Sequence, residues 1–134
     1  MRGLFWTAIL ILIGIETPLA ETPEDFMAQY LAAAKAQNPA ITQLDPMHGA
    51  ELYRDHHGGE WNCASCHTDD PKSQGQHAET QKTIDPLAPV VNLQRFRDPA
   101  KVEKWFKRSC KDILGRECTP QEKGDFLAYL LSVK

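Results

Sequence analysis

The chain has 134 residues, enough for one compact domain and too few for two. Its hydrophobic content of 42% and charged content of 25% are those of an ordinary globular protein. A formal net charge of −3 without any long single-sign run excludes a polyanion binder, nucleic acid included.

The first segment reads as an export signal. Met1-Arg2 supplies a short positive start, residues 4–15 form an apolar run, and Glu16 and Pro18 interrupt it before the small Ala20. The run is shorter than the roughly 20 apolar residues that cross a bilayer. The expectation is a cleaved leader over 1–20 and a single domain over 21–134; Pro18, awkward beside the cut, keeps an uncleaved anchor as the rival. Export implies a periplasmic location, where disulfides persist.

Thr22-Pro23-Glu24-Asp25 predicts a helix start: a hydroxyl cap, proline at the first position, then acids at the positive end of the dipole. Phe26, Tyr30, Leu31 and Ala34 follow at helical spacing, and Asn38-Pro39 ends the run. Asp45-Pro46 predicts a second helix through Met47, Ala50, Leu52 and Tyr53, broken by Gly58-Gly59. Between Thr68 and about Asp98 periodicity disappears among prolines, Gly75 and polar residues, which predicts a long loop with short turns. Loops of that length are uncommon in small domains unless something anchors them.

Asp98-Pro99 opens a third helix. Val102, Trp105, Phe106, Ser109, Cys110, Ile113 and Leu114 make its apolar face, with Lys101, Lys104, Lys107, Arg108 and Lys111 mostly opposite. Thr119-Pro120-Gln121-Glu122 is a capping-box signature leading into Phe126, Leu127, Leu130 and Leu131. No strand alternation is visible, so the fold class is mainly α.

The chemistry centres on Cys63-Ala64-Ser65-Cys66-His67, the attachment signature of a c-type haem. One turn of backbone lets two thiols reach the vinyl groups on one porphyrin edge. His67 then turns beneath the ring to offer a nitrogen to the iron as its proximal ligand. A thioredoxin-like pair would sit beside a βαβ pattern, and none is present. A zinc site using Cys63, Cys66, Cys110 and Cys118 is conceivable, but the adjacent His67 and the leader favour haem. A plain disulfide leaves His67 unexplained.

On the iron's other face, electron-carrying cytochromes c usually place a methionine that follows the motif. Here Met1, Met27 and Met47 all precede it. The helix with Gly49-x-x-Leu52-Tyr53 before the motif resembles the opening of class I cytochromes c, in which that helix crosses the last one. The crossing strip would then be Phe126-Leu127-Ala128-Tyr129-Leu130.

A more specific resemblance follows from several motifs in one order. Ile84-Asp85-Pro86-Leu87-Ala88-Pro89, Asn92-x-x-Arg95-Phe96, Cys110-x-Asp112-Ile113-Leu114-Gly115 and Glu117-Cys118-Thr119-Pro120 resemble the family of cytochrome c'' and the sphaeroides haem protein. The resemblance runs from about Gly49 to Leu131. It implies one covalent haem c, often high-spin with an open or labile sixth position, and a disulfide between Cys110 and Cys118. It also implies a distal position at the residue before the first disulfide cysteine, histidine or asparagine in the family and Ser109 here.

Ser109 has three readings: a core residue bonding the carbonyl one turn back, a weak direct ligand, or the lining of an open or water-filled pocket. His48, His56, His57 and His77 read as exposed polar residues, each able in principle to bind iron. Arg95 reads equally as a propionate partner or a surface arginine. The lysine stripe reads as a solvated face, with docking of an acidic partner as the sharper alternative.

These features imply an exported electron-transfer haem protein. The alternative is capture or sensing of a diatomic gas, oxygen or nitric oxide, at the sixth position. An enzymatic reading is disfavoured, because no His or Arg is placed by sequence to assist turnover on the distal side. The resemblance suggests a dihaem cytochrome c or a membrane b-type cytochrome as redox partner.

Overall fold

A computed structural model describes residues 20–134, so all of the expected leader but Ala20 lies outside the described residues. Its elements, in chain order, are α1 (Pro23–Gln37), α2 (Pro46–Arg54), α3 (Cys63–His67), the strands β1 (Gly75–Gln76) and β2 (Thr83–Ile84), α4 (Pro99–Leu114) and α5 (Pro120–Ser132). Among the described residues no helix is long and apolar enough to cross a membrane.

The helix starts follow from their caps. Thr22, Asp45, Asp98 and Thr119 each accept a backbone N–H of the first turn, and a proline follows each. Each cap satisfies a donor that the helix itself leaves without a partner. At α1 and α5 the acid three residues on bonds back to the cap amide, completing a capping box. The end of α2 differs from expectation. It stops at Arg54, capped by Asp55, before reaching Gly58-Gly59.

The core gathers around α5, whose Phe126, Leu127, Tyr129 and Leu130 are buried. The helix packs against both α2 and α1. At the α2 crossing the backbones nearly touch: a Cβ on Gly49 would overlap the Asp125 carbonyl. The Asp125 side chain is 0% exposed. It accepts hydrogen bonds from the Asp45 amide (2.7 Å) and pairs with His48 Nδ1 (2.7 Å), so the crossing is closed by polar groups as well as by shape. A buried carboxylate without such partners would be costly.

The α4 helix meets the rest through side chains. Phe106 stands edge-on to Tyr30 (5.7 Å) and Phe126 (6.1 Å), and Trp105 lies over Phe126 (5.6 Å). A polar chain ties three helices together: the Tyr30 hydroxyl donates to Glu103 (2.5 Å), and Lys123 Nζ donates to the other Glu103 oxygen (2.6 Å). Burial would raise the Glu103 carboxyl, but these two hydrogen bonds together hold it below the usual carboxylate range.

The segment between α3 and α4 is not wholly irregular, a correction to the sequence reading. β1 and β2 form a short antiparallel pair, Gly75 opposite Ile84 and Gln76 opposite Thr83. Two residues per strand leave no alternation to detect in the sequence. The rest is held by its own bonds: Pro71 O accepts the amides of both Leu87 and Ala88, which are fully buried. The chain's own backbone therefore supplies part of the anchoring that a loop of this length needs.

Candidate cofactor site

The two thiols and the imidazole are placed by a helix of five residues, too short to persist alone. Asn62 sets it: its side chain accepts from Ser65 N (2.8 Å), Ser65 Oγ accepts from Asn62 N (3.0 Å), and Asn62 Nδ2 donates to Arg54 O (2.6 Å). That last bond couples the start of α3 to the end of α2. Behind the motif, a Cβ on Gly75 would overlap the Cys66 carbonyl, so only glycine lets the hairpin lie this close. The Ala78 amide donates to Cys66 Sγ at 3.3 Å.

Thr68, just after His67, has φ 63° and ψ 172°, a backbone conformation costly for a β-branched residue. Its carbonyl accepts the hydroxyl of the fully buried Tyr53 at 2.5 Å. The bend that carries the chain away from His67 is thus held from α2.

Cys63 and Cys66 are both free and not bonded to each other. Burial pushes the Cys63 thiol up to about 12, so it stays protonated and lacks the thiolate character of a redox cysteine. Burial first, and then the nearby Arg95 charge, lower His67 to about 4. The ring is therefore neutral at ordinary pH, the form that binds a metal. His67 Nδ1 is buried without a hydrogen-bond partner.

Beside Cys63 an apolar cleft is lined by Leu52, Trp105, Phe106, Ile113 and Phe126, with Ser109 and Glu122 as its polar residues. Cys110 and Cys118 border it and are joined in a disulfide, with Cα atoms 5.6 Å apart. The structure brings Cys63 and Ser109 to one cleft; His67 is not among its lining residues. Ser109 Oγ makes no hydrogen bond among the described residues, so the bond to the carbonyl one turn back is not formed.

Unpaired thiols one helical turn apart, a neutral imidazole with an orphaned nitrogen and an adjoining apolar cleft fit a covalently held haem. They do not fit zinc, because two of the four cysteines are already bonded to each other.

The comparisons with known proteins agree. The family described as a domain of unknown function, DUF1924, matches residues 39–130. The "Cytochrome c-type protein SHP" of Cereibacter sphaeroides is 42% identical over 113 residues, spanning 81% of this chain and 82% of that protein. The chain belongs to the cytochrome c''–SHP family. Cytochrome c'' of Methylophilus methylotrophus is 53% identical over 75 residues, a match that spans 56% of this chain and only 52% of that protein's length. Its oxidized crystal structure superposes with a TM-score of 0.75 at 40% identity, over 84% of this chain and 94% of that one. Oxidized SHP, described as an oxygen binding cytochrome c, gives a TM-score of 0.74 at 38% identity over 83% of this chain and 96% of that one. As a member of this family the chain is a c-type cytochrome, and its cofactor is one haem c.

Other residues are placed less as the sequence suggested. His48 is not simply exposed; it covers the buried Asp125. His57 is held against Leu52 O (3.2 Å), whereas His56 and His77 are tied to local backbone. Arg95 is neither free nor a plain surface group: it donates to the carbonyls of Asp85 (3.1 Å) and Pro86 (3.2 Å). Met47 is 74% exposed, and Met27 is partly buried against the core. Two residues escaped the sequence reading, Asp125 and Glu122. Asp125 immediately precedes the apolar strip of α5, and nothing in the spacing there marks an acid as buried. Glu122 was visible only as a cap; its position at the cleft depends on how α5 meets α4.

Proposed function

We propose that the protein is an exported, periplasmic electron-transfer cytochrome whose haem is tethered by Cys63 and Cys66 and ligated by His67. The sixth iron position would be open or weakly held beside Ser109. The observation that carries this reading is the pair of free thiols on a capped helical turn ending in a half-buried, neutral His67 whose Nδ1 is buried without a partner. When bound, the haem supplies a reversible one-electron centre, and the chain's part is to hold it, orient His67 and restrict water. Tyr53 and Asn62 fix the motif, and the aromatic side chains dry the cleft. A dihaem cytochrome c or a membrane b-type cytochrome is the partner class the resemblance supports.

Production with the c-type haem maturation machinery tests the tether. Haem should remain with the protein on a denaturing gel and be lost in Cys63→Ala/Cys66→Ala. Haem extracted from the intact protein by acid and organic solvent would overturn it. A high-spin spectrum is expected in at least one oxidation state, and a low-spin methionine-type spectrum in both would remove the open position. A second reading, reversible binding of a diatomic gas, is favoured by the apolar cleft against Ser109. It predicts a spectral change of the reduced protein with carbon monoxide or nitric oxide. No enzymatic role is proposed.

A further inference from the structure

The outer face of α4 carries five cations: Lys101, Lys104, Lys107, Arg108 and Lys111. At 100° per residue they fall within about 120° of the helix circumference. All five are exposed. Lys101 lies 3.7 Å from Asp98, both largely in solvent, and the other four make no ion pair among the described residues.

Several of these cations are three or four residues apart, a spacing at which like charges repel and weaken a helix. The arrangement belongs to a chain whose net charge is −3, so it reflects segregation rather than a basic composition. The acids nearby do not cancel it. Glu103 is taken up by Tyr30 and Lys123. Asp112 lies at the edge of the stripe, and Glu117 lies in a shallow groove shared with Lys104, Lys107 and Lys123. The opposite face of the same helix carries Trp105, Phe106 and Ser109 into the cleft.

We propose that this face of α4 docks an acidic protein surface, bringing an electron-transfer partner to within about one helix diameter, ~10 Å, of the cofactor cleft. This deepens the electron-transfer reading and rests on it. A lipid surface fits less well. An interfacial helix buries its apolar face in the bilayer, but that face of α4 is spent on the protein core, and none of the large exposed apolar residues lies on α4.

The test uses the haem-loaded protein, isotope-labelled, titrated with an oxidised plant-type [2Fe–2S] ferredoxin as an acidic probe. Binding is read without electron flow, so failure of the electron-transfer reading is seen separately, as a haem that does not cycle with small reductants and oxidants. Amide shifts should cluster on α4, and affinity should fall about tenfold or more between ~10 and ~200 mM salt. Lys104→Glu/Lys107→Glu should weaken binding about tenfold at low salt, whereas Lys35→Glu/Lys82→Glu, an equal charge change elsewhere, should alter it less than about twofold. Shifts scattered away from α4, or equal losses in the two variants, would overturn the proposal. So would stripe-dependent binding to phosphatidylglycerol vesicles stronger than binding to ferredoxin, which would reassign the face to lipid.

Discussion

On one side of α5, α2 comes so close that Gly49 has no room for a Cβ against the Asp125 carbonyl. On the other side, α4 stands off on the rings of Trp105, Phe106 and Phe126. The first contact is backbone against backbone and is sealed by the buried Asp125 with His48 and the Asp45 amide. The second leaves a cleft, bordered by the Cys110–Cys118 disulfide and lined by Ser109. Close helix packing supplies rigidity where the attachment motif departs from α2. Looser packing through large rings leaves the apolar cleft between Cys63 and Ser109.

Substitutions on the two sides should therefore differ in kind. Phe106→Ala removes a ring that is 2% exposed and should cost about 3–5 kcal/mol in denaturant unfolding. It should also shift the haem absorption bands, because the lost ring lines the cleft. Gly49→Ala forces a methyl into the Asp125 carbonyl and should cost up to about 3 kcal/mol, with the bands of the folded fraction unchanged. If both variants altered the spectrum alike, the separation between rigid and open sides would fail.

Cys110→Ala/Cys118→Ala opens a loop with a sequence separation of 8 and should cost about 2–2.5 kcal/mol. Its spectral effect should exceed that of Gly49→Ala, since the bridge adjoins Ser109. Tyr53→Phe removes the hydroxyl bonded to Thr68 O and should cost about 1 kcal/mol. Here the sharper readout is heterogeneity in the His67 environment by NMR, because the strained bend loses its support.

The smallest effect concerns acid. Hydrogen bonds from Arg116, outweighing partial burial and aided by the Thr119 amide, hold Glu122 down to about 2 against an ordinary 4.5. A depressed carboxyl stabilises the fold fully above about 4.5, and that contribution disappears as pH falls towards 2. With Arg116 half exposed, the contribution should stay below about 1 kcal/mol. Glu122→Gln should thus be less stable than the parent at neutral pH and equal to it near pH 2. A constant gap across that range would show that the ion pair is not its origin.

Much of this architecture was legible in the chain because its signals are local. Each proline-marked cap names a helix start within one turn, and Cys63, Cys66 and His67 lie in five consecutive residues. The crossing strip of α5 was legible through the resemblance to class I cytochromes c, which implies that the last helix crosses the one before the motif. The hairpin was not, since two-residue strands carry no period. Nor were the roles of His48, whose partner lies 77 residues away in sequence, and of Arg95, whose carbonyl partners lie 9 and 10 residues back in an irregular loop.

By itself, then, the sequence determined the four proline-marked helices, the attachment motif and the absence of any methionine after it. The tertiary structure alone decided that Asp125 is buried and satisfied, that Ser109 faces an apolar cleft shared with Cys63, and that Arg95 bonds the Asp85 and Pro86 carbonyls. The physical reason is range. Caps, turns and thiol spacing are settled by neighbours within about one helical turn. Burial of a carboxylate and the width of a cleft depend on which helix faces meet, and that follows from the packing of the whole chain.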